Sequence, residues 1–172
     1  MKNIFLIAIL TININLYSQT KVDDYKRLVD STIVIKSIET YNHFQSELSK
    51  NIKTDNWKYY IDNYKHSIEN IYLLDSNNHP YSIGLQKDIN VKFKLIDIYN
   101  KKNIKLLKKG IDTWKIIPNL ENNKLIVTII NFKVIYYKNE YKFVNGGGTT
   151  IIFEYQCNEK KWTLVSNKST AP

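Results

Sequence analysis

Three histidines, one cysteine and a run of three glycines are the residues here whose types can carry chemistry. His43, His66 and His79 lie 23 and 13 residues apart. Metal sites need His or Cys at short spacing, such as two ligands one helical turn apart, and no such pair occurs. No metal or cofactor is therefore expected. His66 follows Asp62 by four residues, which on a helix makes an ordinary surface pair before it makes a catalytic dyad. His79 stands beside Pro80 in a turn. Cys157 is the one candidate thiol nucleophile, and no Gly-x-Ser-x-Gly elbow is present. The spacing assigns no catalytic residue.

Gly146-Gly147-Gly148 has the composition of a phosphate loop but not its context. A phosphate loop follows a strand and opens a helix, whose terminal N–H groups face the anion. Here Thr149 to Tyr155 continues as a strand, so the triplet predicts a bulge or sharp bend. The remaining candidates are aromatic. Trp114, Phe132, Tyr136 and Tyr155 could line a pocket for a small molecule, glycan or protein, because their rings supply area and the tyrosines a polar tip. The alternative is core anchorage, which the spacing of Trp57, Trp114 and Trp162 already accounts for.

The elements that must position these residues divide into two halves. Tyr25, Leu28, Val29, Thr32 and Ile33 step at helical spacing, continued by Ile38, Tyr41, Phe44 and Leu48. Trp57, Tyr60, Ile61, Tyr64, Ile68 and Ile71 form a second apolar stripe, with Asp55, Asp62 and Glu69 opposite as a solvated stripe paired with Lys58 and Lys65. From there the period changes. Asp75 to Pro80 is a turn cluster, and strands are expected over 91–99, 104–117 (interrupted at Gly110), 124–138, 149–157 and 162–168.

Hairpin arithmetic sets a register. A turn at Asn139-Glu140 opposes Ile126 to Phe153, Thr128 to Ile151 and Tyr136 to Phe143. A loop over 158–161 opposes Cys157 to Trp162 and Tyr155 to Leu164. A turn through 118–123 opposes Ile116 to Ile126 and Trp114 to Thr128. Together these place Trp114, Ile116, Ile126, Ile130, Phe132, Val134, Ile151, Phe153, Tyr155, Cys157, Trp162 and Leu164 on one face, with Cys157 as a buried small hydrophobe. The other face, with Ile117, Leu125, Val127 and Ile129 among polar residues, is half apolar and is expected to be covered by a helix or by a second copy in a homodimer. The fold class is α+β: N-terminal helices packed on a curved antiparallel meander.

Composition bounds the rest. Of 172 residues, 43% are hydrophobic and 13% aromatic, the signature of a globular chain. The net charge is +9, yet of 25 basic residues only Arg27 is arginine. Base reading and phosphate clamping favour the arginine fork, so the charge is read as compositional and no nucleic-acid partner is expected. A lone cysteine leaves no intramolecular disulfide.

The first residues read as an export address. Lys2 gives a positive start, Ile4 to Leu10 is an apolar run, and Leu16-Tyr17-Ser18 ends small, so 1–18 is expected to be a signal peptide cleaved before Gln19. The apolar run is shorter than the roughly 20 residues a spanning helix needs, and no cysteine stands at the cleavage point for a lipid. No stable membrane anchor is expected. Residues 19–172 then form one domain, periplasmic or secreted.

Helices followed by a long bent meander over roughly 21–168 resemble the NTF2-like and wider cystatin-like architecture, in which a curved sheet wraps a helix around a cone-shaped pocket. Gly110 and Gly146 to Gly148 would be its bend points. The stretches Gly110 to Pro118, Asn145 to Cys157 and Lys161 to Leu164 are also similar to small exported bacterial proteins of uncharacterised activity. The resemblance implies no activity. The favoured reading is a non-enzymatic exported binding domain; the alternative is a small hydrolase or isomerase with a polar site inside the cone.

Overall fold

The computed structural model describes residues 2–51, 58, 61, 62, 65, 68–84 and 90–171, with the side chains of the first helix described for residues 24–50. Helix α1 (Lys2–Asn51) is followed by β1 (Ile71–Leu74), β2 (Phe93–Lys94), a 3-10 turn (Lys101–Asn103), α2 (Ile104–Leu107), β3 (Ile111–Glu121), β4 (Lys124–Tyr137), β5 (Glu140–Gln156) and β6 (Lys161–Thr170). The strands form one open six-stranded sheet in the order β2-β1-β3-β4-β5-β6. The last four make the expected antiparallel meander, while β1 runs parallel to both β2 and β3. The class is α+β. Of the second expected helical stripe, Ile61 and Ile68 are helical and Ile71 opens β1 instead; Asp55, Trp57, Tyr60, Tyr64 and His66 lie outside the described residues.

Turn chemistry corrects the register. The β4–β5 turn is Lys138-Asn139, both with positive φ (50° and 63°), as a two-residue hairpin turn of the primed type requires. Turning one residue earlier than expected opposes Tyr136 to Tyr141 rather than Phe143. That is a shift of two, which preserves the face. Pro118 lies inside β3 opposite Val127, beyond the reach of β1, where its missing N–H leaves no ladder bond unmade. Ile116 therefore opposes Ile129, not Ile126. That odd shift flips β4: Leu125, Val127 and Ile129 share the face of Trp114 and Ile116.

The glycine triplet is a bulge, as expected. Ile130 opposes Gly148 and Phe132 opposes Asn145, so Gly146 and Gly147 together face Asn131. Gly147 has φ +84°, and a Cβ on Gly148 would stand 2.8 Å from the Ile129 carbonyl oxygen. Only glycine allows β5 so close an approach to β4. Because side chains alternate, this extra residue exchanges the two faces of β5.

The sheet is consequently buried on both sides, in different halves. On one side, the helix face, Ile71, Leu73, Trp114, Ile116, Leu125, Val127, Ile129, Ile151 and Phe153 pack with Val29 and Ile33 of α1. On the other, the loop face, Ile111 and Val134 pack with Leu74, Ile96, Ile98 and Leu107. The face expected to be covered by a helix or by a second copy carries α1, and Leu125, Val127 and Ile129 on it are fully buried. Phe132 and Val134, expected with Trp114, lie on the opposite side.

Two local expectations also change. Residues 104–107 are helical, not extended. Lysines exposed around a single buried Leu107 suit a short helix, Asn100 caps the preceding 3-10 turn through Lys102 N, and Gly110 (φ +81°) ends the segment as a helix terminator. Cys157 is exposed rather than buried. It is the first residue of a four-residue turn closed by Lys160 at φ 50°, so Tyr155, not Cys157, opposes Trp162.

Candidate functional site

The four aromatic candidates do not converge. Trp114 and Tyr155 lie on the helix face, Tyr155 edge-on to Trp162 with centroids 5.4 Å apart. Phe132 and Tyr136 lie on the loop face. There they belong to a larger group that the turn and the bulge assemble.

On the loop face, Phe132 meets Phe143 edge-on at 5.7 Å, and Tyr136 meets Tyr141 at 5.0 Å. Tyr141 in turn meets Tyr99 at 5.2 Å. The three tyrosines come from the segment before α2, from β4 and from β5, so the fold is needed to gather them. Asn78, held at φ 66° in the turn after β1, donates its amide to the Tyr99 hydroxyl at 3.1 Å, while its own Oδ1 is buried without a hydrogen-bond partner. Partial burial raises the Tyr141 hydroxyl above the usual tyrosine value, and Tyr136, Tyr99 and Asp97 push the same way. It is therefore a protonated donor at neutral pH. Among the described residues neither Tyr99 nor Tyr141 gives its hydroxyl proton to an acceptor. Tyr99 is 47% exposed and Tyr137, at the hairpin tip, 52%. Tyr137, one residue past Tyr136, lies on the other side of β4, where Lys138 and Lys142 hold their ammonium groups 5.3 and 5.0 Å from its ring centroid.

The helix face carries a second polar group that sequence reasoning missed. Lys36 is only 5% exposed. Its Nζ donates to Thr149 Oγ1 at 3.1 Å and lies 4.9 Å from the Trp114 ring centroid. Thr149 Oγ1 also stands 3.2 Å from Ser169 Oγ, which extends the chain of polar atoms to β6. Desolvation lowers the amine to about 8, and Glu39 one turn later partly opposes that. Asn131, opposite Trp114 on this face, leaves a buried Oδ1 unpaired. A lysine three residues beyond buried Ile33 was the available signal, but Lys at such a position is ordinarily solvated.

A third cluster is a latch. Asp30, 2% exposed, accepts from Tyr81 Oη at 2.7 Å, Lys26 Nζ at 2.8 Å and Gly84 N at 2.9 Å. These bonds tie residues 81–84 to α1. The Tyr81 hydroxyl is driven far up by burial first and by Asp30 second, so it stays a donor. The other titratable candidates are dispersed: His43 and His79 are exposed, the latter 3.6 Å from Asp75. Among the described residues no three His, Cys, Asp or Glu side chains gather as a metal site, and no helix is long and apolar enough to cross a membrane. Compared with known proteins, the chain matches no family model, no curated protein and no solved structure.

Proposed function

We propose that this chain is an exported, non-enzymatic binding domain whose ligand surface is the tyrosine group at the β4–β5 hairpin. One observation carries the reading: Tyr99, Tyr136 and Tyr141 interlock edge-to-face at 5.0 and 5.2 Å, with two hydroxyl protons that find no acceptor among the described residues. Such a surface offers apolar area and directed donors together, which suits a glycan, a small molecule or a peptide. The architecture is proposed to be NTF2-like in the broad sense, with α1 laid on one side of a mostly antiparallel sheet. Residues 1–18 are proposed to be removed on export.

A panel of immobilised glycans, peptides and small molecules tests the function. The reading expects a bound member that Tyr99→Ala and Tyr141→Ala both release. Equal retention by the variants contradicts it. A second reading, a small hydrolase or isomerase, draws on Lys36, an amine held near neutrality beside two hydroxyls. It expects turnover of an ester or glycoside panel that Lys36→Met abolishes, whereas the binding reading expects no turnover.

A further inference from the structure

We infer that the ligand of the tyrosine surface is an acidic polysaccharide, one whose sugars carry carboxylate or sulfate groups. The inference rests on the binding reading above and names the chemistry of its ligand. Tyr99 opens a segment, 99–109, that holds Lys101, Lys102, Lys105, Lys108 and Lys109 and no Asp or Glu. All five lysines are exposed. The segment is fastened as a unit: Asn103 donates to the Asp97 carbonyl at 2.7 Å, Asn100 caps the turn, and Leu107 is fully buried beneath it. The lysines are therefore displayed by a fixed backbone beside Tyr99 rather than by a floppy tail. Asp97, whose Oδ1 accepts from Tyr99 N, is the carboxylate nearest in sequence to this segment, and its five lysines outnumber it.

Charge alone would fit any polyanion. Two features select a glycan over nucleic acid. The tyrosine pairs meet at 77° and 61°, so the rings spend their area on one another's edges and do not form a stack of parallel open faces for bases. The segment's positive charge is also wholly lysine, a point charge that tolerates many anion positions, without the arginine fork that phosphate and base recognition favours. Tyr99 and Tyr141, with protons to donate, match the dense hydroxyl and ether acceptors of a sugar chain.

Binding of the full chain to heparin, polygalacturonate, neutral dextran and a short single-stranded DNA, each titrated at several salt concentrations, tests the assignment. The inference expects the two acidic polysaccharides to bind and dextran not to. The triple variant K101Q/K102Q/K105Q is expected to lose about tenfold in affinity, from three exposed ion pairs, and to flatten the salt dependence. Tyr99→Ala is expected to weaken polysaccharide binding while leaving the salt slope in place. Dextran bound as tightly as the acidic chains, through Tyr99 and indifferent to the triple variant, overturns the acidic assignment and leaves the binding surface standing. DNA bound more tightly than the polysaccharides, indifferent to Tyr99→Ala, overturns the glycan assignment as well. If none of the four binds but the wider panel yields a tyrosine-dependent ligand, the inference alone falls. If neither does, both fall.

Discussion

Replacing Lys36 with methionine should make the protein more stable at neutral pH and erase a pH dependence that the native chain shows. Burial between α1 and the sheet lowers this amine from 10.5 to about 8. A difference of this size corresponds to about 3 kcal/mol against the charged form in the folded state. The folded value lies below the unfolded one, so between about 8 and 10.5 the unfolded chain binds more protons. Stability therefore rises with pH in that window, and the full penalty is present below it. Between pH 7 and 9.5 the rise attributable to Lys36 is about 2 kcal/mol. Stopping at 9.5 avoids Tyr25 and Tyr81, whose raised hydroxyls withdraw stability above the ordinary tyrosine range.

Methionine fills the same slot without a charge but forfeits the Thr149 hydrogen bond and the Trp114 contact, each worth about 1 kcal/mol. The net gain at pH 7 is then about 1 kcal/mol. Urea unfolding followed by tryptophan fluorescence at pH 7, 8, 9 and 9.5 reads both quantities. The surface lysines discharge equally in both proteins, so the difference between the two curves isolates Lys36. A native curve that is flat or falls, or a variant that keeps the same rise, refutes the burial argument.

Three further outcomes follow from the packing. Asp30→Ala leaves the Tyr81 hydroxyl and the Gly84 N–H without their acceptor and should cost about 3 kcal/mol in the same unfolding assay. Gly148→Ala drives a Cβ toward the Ile129 carbonyl and should lose about 1–3 kcal/mol, with broadened amide signals across the β4–β5 bulge. Cys157, exposed in the β5–β6 turn, should react with Ellman's reagent in the native protein as fast as in urea; protection in the native state would return it to the core.

Much of the framework was legible because local signals act locally. The meander, its three turn regions and the bulge at Gly146 to Gly148 follow from turn residues and alternation alone. Facing relations were not, because each depends on counting through a turn whose exact residues sequence does not fix. A turn at Lys138 instead of Asn139 moves partners by two and is harmless, whereas Pro118 entering β3 moves them by three and exchanges the faces. Phe132 and Tyr136 were thereby separated from Trp114 and Tyr155, although all four were recognised as candidates. Gly110 was legible as a break but not as the end of a helix, since residues 104–107 alternate well enough to pass for a strand. Lys36, Asp30 and the partnership of Tyr99 with Tyr141 arise from tertiary contacts between residues 42 to 113 positions apart, and no local pattern announces them.

The claim that ligand is held on the loop face at the β4–β5 hairpin is tested most directly by amide chemical-shift mapping. An oligosaccharide from heparin or polygalacturonate is titrated into the isotope-labelled protein, and the perturbed residues are located on the fold. Shifts centred on Tyr99, Lys101, Lys102, Tyr136 and Tyr141, with Thr149 and Ser169 unmoved, are the expected result. Shifts centred on Lys36, Thr149 and Ser169, with the tyrosines silent, would contradict it and move the site to the helix face.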